Sequence, residues 1–198
     1  MSKTLTISRV RSLMRTASTS RVLVIGDVML DQFLWGHVKR ISPEAPVPVV
    51  EFERESFMPG GAANVARNLT ALGTGVELFG LVGKDDGAKR LRALLKGDAV
   101  GSSGLKPVSD RMTTRKTRVV AHQQQVVRID RETKQAGDSR TTKRLLSAVE
   151  EELAGTGAVV VADYNKGVVT QELLEGLRAL CRPRGIWLSD PAALVRPL

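Results

Sequence analysis

The sequence predicts an α/β fold built around a doubly wound, mostly parallel sheet. Four apolar runs of strand length, rich in valine, leucine and isoleucine, each end close to an aspartate. Segments with leucine at helical spacing separate these runs, and such alternation predicts parallel strands joined by right-handed crossovers. Extended segments that contain proline, or that alternate polar and apolar residues, interrupt the pattern. We expect those segments to leave the main sheet.

Composition is that of a globular domain with an aliphatic core. The 198 residues are 42% hydrophobic and only 4% aromatic, which suffices for one domain with a sizeable core. The single cysteine, Cys181, excludes an internal disulfide, and its place among leucines at helical spacing favours packing over nucleophilic chemistry. With one cysteine and two histidines, no zinc cluster is expected.

The net charge of +9 raises nucleic acid as a partner, but the distribution of charge argues against it. Five cations and no acid lie in the first 21 residues, and the other charges are spread over segments of mixed sign without interleaved aromatics. The basic first segment lacks the apolar centre of a signal peptide, and no stretch is apolar over a membrane-spanning length. We therefore expect a cytoplasmic protein without nucleic-acid or membrane partners.

The first predicted elements are a basic N-terminal segment and a buried strand. Residues 1–20 form a basic tail or a short helix, the helix being expected over 5–15. Residues 21–27 are a continuous β-branched run that predicts a strand buried on both faces. Residues 32–36 and 47–53 follow as extended segments, because the nearby prolines exclude both a helix and a central strand.

A proline and two glycines then open a run, 58–69, that we expect to become a helix. Gly60 and Gly61 carry no Cβ, so a ligand can approach the backbone, and the free N–H groups of the first turn favour an anion. Asn64 in that turn can donate and accept hydrogen bonds. The pattern fits a site for a hydroxyl-rich or phosphorylated ligand. It fits equally a tight turn into an ordinary core helix.

The next segments predict a second strand and helix. Residues 76–83 are expected to be a buried strand, and Asp85 can cap the following helix, which Gly97 closes. Residues 98–110 have the composition of a loop.

Two strands of a different kind follow. Residues 113–120 and 126–130 predict strands joined by a hairpin-like link. Lys116 and Arg118 alternate there with threonine and valine, which predicts that one side of these strands faces water.

The last third of the chain predicts a third buried strand, 158–163, and a fourth strand, 185–190, with a helix that Ser139 caps and another that Thr170 starts. Because the carboxyl ends of parallel strands meet at one edge of a sheet, four aspartates should line one rim: Asp27, Asp85, Asp163 and Asp190. Such carboxylates can bind sugar hydroxyls, hold a cation or act as bases, although Asp85 is expected to serve as a helix cap.

Common nucleotide-binding and hydrolase motifs are absent from the sequence. No G-x-G-x-x-G turn follows the first strand and no G-x-x-x-x-G-K-[ST] loop occurs, which weighs against a nicotinamide-binding Rossmann fold and a P-loop. No Ser-His-Asp arrangement is visible, and we expect both histidines, His37 and His122, to be exposed.

Several segments resemble one family when they are taken together. They are 26–31 (GDVMLD), 40–49 (RISPEAPVPV), 59–66 (PGGAANVA), 116–118 (KTR), 124–125 (QQ), 128–130 (RID) and 163–167 (DYNKG). These segments resemble the ribokinase (PfkB) superfamily of sugar kinases and, more narrowly, the heptose-7-phosphate kinase domain of ADP-heptose synthases. The resemblance runs from about residue 21 to residue 191, and RISPEAPVPV is its most specific part.

The resemblance implies a partial ribokinase-like kinase domain over 21–198, with a β-lid that closes over the sugar and often joins two copies into a homodimer. The lid strands would be the stretches near 32–36, 47–53, 113–120 and 126–130. The implied substrate-binding residues are Asp31 for sugar hydroxyls, Gly60, Gly61 and Asn64 for the wall of the sugar site, Lys116, Arg118 and Lys166 for the 7-phosphate, and Asp163 at the rim. The basic residues fit equally a role in solvating the surface.

The implied reaction is ATP-dependent phosphorylation of D-glycero-D-manno-heptose 7-phosphate at its anomeric hydroxyl, a step toward ADP-heptose and lipopolysaccharide. ATP and Mg²⁺ would be the cofactors, and no metal site is expected in this chain itself. The family's second glycine motif, Gly-Ala-Gly-Asp, supplies the anion hole and the catalytic base, and the 198 residues do not contain it. We therefore expect a domain truncated on its C-terminal side, with no catalytic residue of its own because the base lies beyond residue 198.

On this interpretation the chain alone is inactive and does not bind ATP. Two alternatives stay open. One is a non-catalytic sugar-phosphate-binding or dimerisation module, and the other is a complete sugar kinase of another specificity.

Overall fold

The computed structural model describes residues 5–189. In chain order the elements are α1 (Ile7–Ser18), β1 (Arg21–Gly26), β2 (Val28–Ile41), β3 (Pro48–Gly61), α2 (Ala62–Ala71), β4 (Gly75–Val82), α3 (Asp86–Gly97), β5 (Leu105–Pro107), β6 (Arg115–Ala121), β7 (Gln124–Arg131), α4 (Ser139–Glu151), β8 (Ala158–Ala162), α5 (Gln171–Cys181), a 3-10 turn (Arg182–Arg184) and β9 (Trp187–Ser189). Among these elements no helix has the length and apolarity needed to cross a bilayer.

Within residues 5–189, five parallel strands form the main sheet, in the order β5-β4-β1-β8-β9. β1 is central, and its Val, Leu and Ile side chains are buried on both faces of the sheet. Val24 packs into the core that α2 and α3 cover, whereas Ile25 packs into the core that α4 and α5 cover. The predicted mostly parallel, doubly wound sheet is therefore confirmed.

The strand order creates a crevice at the carboxyl edge of the main sheet. The chain leaves β1 toward α2 and β4, but it leaves β8 toward α5 and β9 on the other side. In doubly wound sheets ligands bind where the strand order reverses in this way. We therefore expect a ligand-binding site in the crevice beyond β1 and β8.

A second sheet of four strands, here called the lid, has the order β3-β2-β6-β7. Only Asp27 separates β2 from β1, so the lid rises from the carboxyl edge of the main sheet. β3 is an edge strand, which is where its two prolines are tolerated. His122 and Gln123 alone join β6 to β7, and their φ angles of 50° and 64° have the positive sign of a type I′ hairpin turn.

Two of the lid strands, β2 and β3, are longer than the sequence predicted. β2 covers Val28–Ile41 rather than 32–36, and β3 covers Pro48–Gly61 rather than 47–53, because the two strands pair along almost their whole length and carry polar residues with them. The paired glycines therefore complete β3, and helix α2 begins only at Ala62.

Three further details differ from the sequence prediction. Asp138, not Ser139, caps α4, because its carboxylate accepts a backbone N–H of the first turn. Gly97 lies inside α3, and the residue with a left-handed backbone beyond the helix is Ala99, with a φ of 55°. The predicted loop 98–110 contains β5, whose three residues are too few to show a strand pattern.

Candidate functional site

Asp27 lies at the junction of the main sheet and the lid, with 1% of its surface exposed. Its carboxylate accepts backbone hydrogen bonds from Tyr164 (2.9 Å), Lys166 (3.0 Å) and Val168 (3.0 Å) in the loop after β8. Its carbonyl oxygen accepts another from Ala62 at the start of α2 (2.9 Å). Both carboxylate oxygens are thus committed to the loop, so Asp27 organises the rim rather than offering a free carboxylate to a ligand.

The turn from β3 into α2 brings the helix N-terminus to the same edge of the sheet. Gly61 has a φ of 57°, and a Cβ at this position would lie 2.3 Å from the carbonyl oxygen of Asp27. Only glycine fits this place. Within residues 5–189 no side chain caps α2, and because the N–H of Ala62 is bound to Asp27, the N–H groups of Ala63 and Asn64 are the ones that can serve a ligand. Asn64 is exposed in that first turn.

Gly60 makes room for the carboxylate of Asp31 on the neighbouring strand. A Cβ at position 60 would lie 2.3 Å from Oδ2 and 3.1 Å from Cγ of Asp31. The φ of Gly60 is outside the left-handed region, so close packing and not backbone conformation calls for glycine here. The sequence led us to expect that a ligand could approach the backbone at Gly60. In the structure the carboxylate of Asp31 occupies part of that space.

Arg118 holds the other side of the same carboxylate. Its Nη1 forms an ion pair with Oδ1 of Asp31, and the two side chains are 23% and 22% exposed. The guanidinium also lies 5.3 Å from the centre of the Phe33 ring, an arrangement that favours a cation. Asp31 is therefore fixed between Arg118 and Gly60 while part of it remains accessible.

Lys116 is the register partner of Asp31 in β2 and of Asp130 in β7. Asp130 is occupied, because Arg128 contacts both of its oxygens at 2.8 and 3.0 Å. Lys116 is half-buried, and within the described residues its ammonium has no hydrogen-bond or ion-pair partner. A half-buried ammonium without a protein partner is suited to bind an anionic group of a ligand beside Asp31.

The register gives the lid two different faces. Register partners share a face, so one face carries Asp31, Phe33, Lys116 and Arg118, with Phe33 and Trp35 stacked at 6.0 Å between ring centres. We call this the charged face. The opposite face, here called the apolar face for its row of Leu34, Val119, Val127 and Ile129, also carries Gln32, Thr117 and Glu55.

The loop after β8 carries the remaining predicted residues. Asp163 is exposed, and its Oδ1 accepts the N–H of Asn165 (2.8 Å) in a local turn. The Lys166 ammonium lies 2.8 Å from Oε2 of Glu132, and both side chains are only 14–15% exposed. The contact with Lys166 lowers the pKa of Glu132 although desolvation opposes it. Lys166 therefore already has a carboxylate partner at the base of the lid.

Sequence reasoning missed two residues of this region, Arg111 and Glu132. Arg111 is 8% exposed, and its guanidinium donates to the carbonyl oxygens of Lys166 (3.0 Å) and Gln135 (2.6 Å). Burial lowers the pKa of Arg111, and the charge of Asp27 partly offsets this. An arginine in a polar loop resembles a surface residue in sequence, so only the fold reveals its role.

Of the other rim aspartates, Asp85 is the helix cap that the sequence predicted. It accepts the N–H groups of Ala88 (2.9 Å) and Thr113 (2.8 Å). Burial alone would raise the pKa of Asp85, but these hydrogen bonds and the charge of Arg115 outweigh it, so the pKa lies below its ordinary value. Asp190 lies outside the described residues. Within residues 5–189 no group of His, Cys, Asp and Glu side chains could hold a metal ion.

A partial match to the family's second glycine motif lies at the start of α4, where Ala136, Gly137 and Asp138 precede the helix. The Oδ1 of Asp138 accepts the N–H of Thr141 (2.8 Å), and hydrogen bonds from Thr141 lower the pKa of Asp138. A carboxylate that caps a helix and has a lowered pKa is a weak base. Asp138 is therefore a structural cap.

The predicted site residues fall into two groups that Asp27 links. Asp31, Gly60, Lys116 and Arg118 meet on the charged face of the lid, close to the main sheet. Gly61 contacts Asp27 directly, and the loop that carries Asp163 and Lys166 is bound to the same residue. Both histidines are exposed, and Cys181 is buried in a core, where burial raises the pKa of its thiol. The substrate roles of the grouped residues stay predictions.

The chain matches the model of the pfkB family carbohydrate kinases over residues 19–193. Among curated relatives it is 43% identical over 168 residues to a protein named Bifunctional protein HldE from Desulfatibacillum aliphaticivorans, covering 85% of this chain and 34% of the relative. It is 46% identical over 162 residues to the protein of the same name from Caulobacter vibrioides, covering 82% and 33%. The chain thus spans about a third of the length of these relatives.

Solved structures share the fold. A carbohydrate kinase from Agrobacterium tumefaciens superimposes with a TM-score of 0.63 at 20% identity, over 85% of this chain and 52% of that one. A ribokinase from Arabidopsis thaliana, complexed with ribose and ATP, superimposes with a TM-score of 0.58 at 15% identity, over 86% and 52%. These structures confirm the predicted ribokinase-like architecture.

Proposed function

The chain belongs to the pfkB family of carbohydrate kinases, and we propose on that basis that it forms the sugar-phosphate-binding part of a kinase for D-glycero-D-manno-heptose 7-phosphate. The proposed reaction transfers phosphate from ATP to the anomeric hydroxyl of this heptose. The heptose assignment follows the resemblance of segments 26–31, 40–49 and 59–66 and the similarity to the two relatives reported above. These relatives are about two and a half times as long as this chain, so the activity of a whole protein is proposed here by relationship.

The fixed carboxylate of Asp31 is the observation that carries this proposal. Arg118 binds one oxygen and Gly60 accommodates the other, so the carboxylate is held beside the open N-terminus of α2. An ionised carboxylate accepts hydrogen bonds only, and sugar hydroxyls are matching donors. The side chain of Asn64 and the N–H groups of Ala63 and Asn64 complete a polar wall of the kind that a hydroxyl-rich ligand requires.

Lys116 is the proposed contact for the phosphate group of the substrate. Its half-buried ammonium has no partner within residues 5–189 and lies in register with Asp31. Arg118 is engaged with Asp31 and Lys166 is engaged with Glu132, so both offer less of their charge to a ligand. We rank Lys116 first and treat Arg118 and Lys166 as secondary contacts.

Family membership implies ATP and a divalent metal ion for the reaction. Residues 5–189 offer no acidic cluster for a metal, so no step of the proposal is routed through Mg²⁺ bound by this chain. The chain's own residues are proposed to bind and orient the sugar phosphate. Because the reaction consumes ATP, we propose a cytoplasmic location.

We also propose that two copies associate through the apolar face of the lid. Val127 and Ile129 are each 47% exposed there and continue the row of Leu34 and Val119. Val127→Glu should convert a dimer into a monomer in sedimentation equilibrium, because a carboxylate cannot be buried there unpaired. Leu72→Glu at the similarly exposed end of α2 is the control and should leave the mass unchanged. A wild-type chain that is monomeric at micromolar concentration would contradict this arrangement.

Isothermal titration calorimetry of the 198-residue chain tests the binding proposal. Heptose 7-phosphate should bind, and D-mannose 6-phosphate, which lacks the seventh carbon, should bind more weakly. Lys116→Met should weaken binding about tenfold or more, because a charge-assisted contact is lost. Lys89→Met, on an exposed face of α3, is the matched control and should have no effect. Absence of heat with heptose 7-phosphate would reject the proposal.

A turnover assay with ATP and Mg²⁺ separates the two functional classes. Binding without product formation would fit a sugar-phosphate-binding module, and product formation by the purified chain would show that it is a kinase in its own right.

A further inference from the structure

The loop 163–168 is held in place by a residue that the proposed chemistry does not use. Asp27 is almost fully buried, and its two carboxylate oxygens accept the N–H groups of Tyr164, Lys166 and Val168 at 2.9–3.0 Å. A carboxylate that accepts several backbone N–H groups replaces the ladder that a strand would supply. The shape of this loop therefore depends on one side chain at the end of β1.

A second buried residue joins that loop to the segment through which the lid returns to the body of the domain. Arg111 donates to the carbonyl oxygen of Lys166 in the loop, and to those of Thr133 (3.4 Å) and Gln135 (2.6 Å) in the return segment 132–137. Arginine suits this task because its planar fork presents several donors in fixed directions.

Two direct contacts fasten the same segments together. The N–H of Gly137 donates to the carbonyl oxygen of Gly167 (2.9 Å), and Lys166 forms its ion pair with Glu132. Gly167 has a φ of 84°, and a Cβ there would lie 2.5 Å from the carbonyl oxygen of Gln135. The two segments are thus packed backbone to backbone.

We propose that Asp27 and Arg111 are positioning residues that hold the loop 163–168 and the lid's return segment as one unit and thereby fix the place of Lys166, a proposed secondary contact of the substrate phosphate. Neither side chain is proposed to touch the substrate. The inference deepens the proposed function and rests on it for the identity of the ligand. The contacts that join the loop 163–168 to the return segment through Asp27 and Arg111, here called the joint, lie within this chain.

The joint also has a consequence for the lid. β7 continues directly into the return segment, so a movement of the β6–β7 hairpin should be transmitted to the loop that carries Lys166. Loss of either Asp27 or Arg111 should loosen the loop while β1, β4 and β8 remain folded, because the hydrophobic cores do not include either residue.

Hydrogen exchange of the full 198-residue chain, read by mass spectrometry, tests the joint without any ligand. Asp27→Asn replaces one acceptor oxygen with a donor, and the amides of 164–168 should exchange about tenfold faster or more. Asp85→Asn is the matched control, because Asp85 also accepts two backbone N–H groups, those of Ala88 and Thr113, which belong to neither the loop 163–168 nor the return segment 132–137. It should leave the exchange of 164–168 unchanged.

Unchanged protection of 164–168 in D27N, or equal loosening in D27N and D85N, would overturn the proposal. Arg111→Lys keeps the charge but not the fork, and faster exchange in both 132–137 and 164–168 is expected of it. If D27N does not fold, the test rests on R111K. Unchanged hydrogen exchange of both segments in R111K would then overturn the proposal.

A second measurement addresses the site. Heptose 7-phosphate should bind R111K about tenfold more weakly than wild type, whereas it should bind D85N normally. If wild type does not bind the sugar phosphate, the proposed function fails while the exchange result still decides whether the joint exists. If wild type binds and R111K binds equally well despite a loosened loop, the positioning role is refuted and the proposed function stands.

Discussion

Gly60→Ala should disable the proposed sugar site while leaving the fold nearly intact. The new Cβ would lie 2.3 Å from Oδ2 of Asp31, whereas ordinary contacts begin at 3.4 Å. The carboxylate must therefore withdraw by about 1 Å, which takes its oxygens out of hydrogen-bond distance of the sugar hydroxyls that they are proposed to bind. Because Oδ2 is the end of a side chain, it can rotate away, and the backbone need not move.

The expected magnitudes follow from the same contacts. Rotation of Asp31 breaks its ion pair with Arg118, which is partly exposed and therefore contributes only about 1 kcal/mol or less to stability. Alanine also restricts the unfolded chain and offsets about 0.4–1 kcal/mol of that loss. The free energy of unfolding should thus change by less than about 1 kcal/mol, while binding of heptose 7-phosphate weakens about tenfold to 100-fold.

Denaturant unfolding and calorimetry on the same protein sample check both parts. Gly97→Ala is the matched control, because a Cβ at this helical position meets nothing within 4 Å. That variant should be slightly more stable than wild type and should bind equally well. A Gly60→Ala protein that binds heptose 7-phosphate with wild-type affinity would refute the claim that the position of Asp31 determines recognition.

Three other changes should affect the fold. Gly61→Ala should lower the free energy of unfolding by more than about 1 kcal/mol in denaturant titrations, because its backbone is left-handed and the Cβ would strike the carbonyl oxygen of Asp27. The pKa of Asp85 is lower in the folded state than its ordinary value, so ionised Asp85 stabilises the fold at neutral pH. This stabilisation is lost as the pH falls through the folded-state pKa. The difference in Tm between wild type and D85N should therefore shrink below about pH 4. Thr170→Ala should cost about 1 kcal/mol by thermal unfolding, because its hydroxyl accepts the N–H of Leu173 (3.2 Å).

The sequence predicted the main sheet well because its signals are local. A buried parallel strand such as 21–27 needs apolar residues on both faces, and the caps Asp85 and Thr170 act within one turn of their helices. The extent of the lid was underestimated because strand pairing between β2 and β3, rather than local preference, keeps polar residues extended.

The sequence identified most of the residues of the candidate site, but it could not predict the contacts between them. Asp31 and Gly60 are 29 positions apart in the sequence, and their contact exists only because β2 and β3 are in register. Asp27 appeared to be a free rim carboxylate, because nothing near it in sequence shows that its partners lie in the loop after β8. Arg111 was overlooked for the same reason, since its acceptors are backbone carbonyls without a sequence signature.

The unbroken alternation of side chains along the paired parts of β2 and β6 would let one small sheet carry the two proposed tasks. Lys116 and Arg118 share the charged face with Asp31, whereas the residues between and beside them, Thr117 and Val119, share the other face with Gln32 and Leu34. The hydrogen bond from the hydroxyl of Thr117 to Gln32 (2.9 Å) and the ion pair of Arg118 with Asp31 each bridge β2 and β6, on opposite faces. Because a slip by one residue would exchange the faces, these two contacts jointly fix the register. Ligand recognition and self-association should therefore be separable by single substitutions on adjacent residues of the same strand.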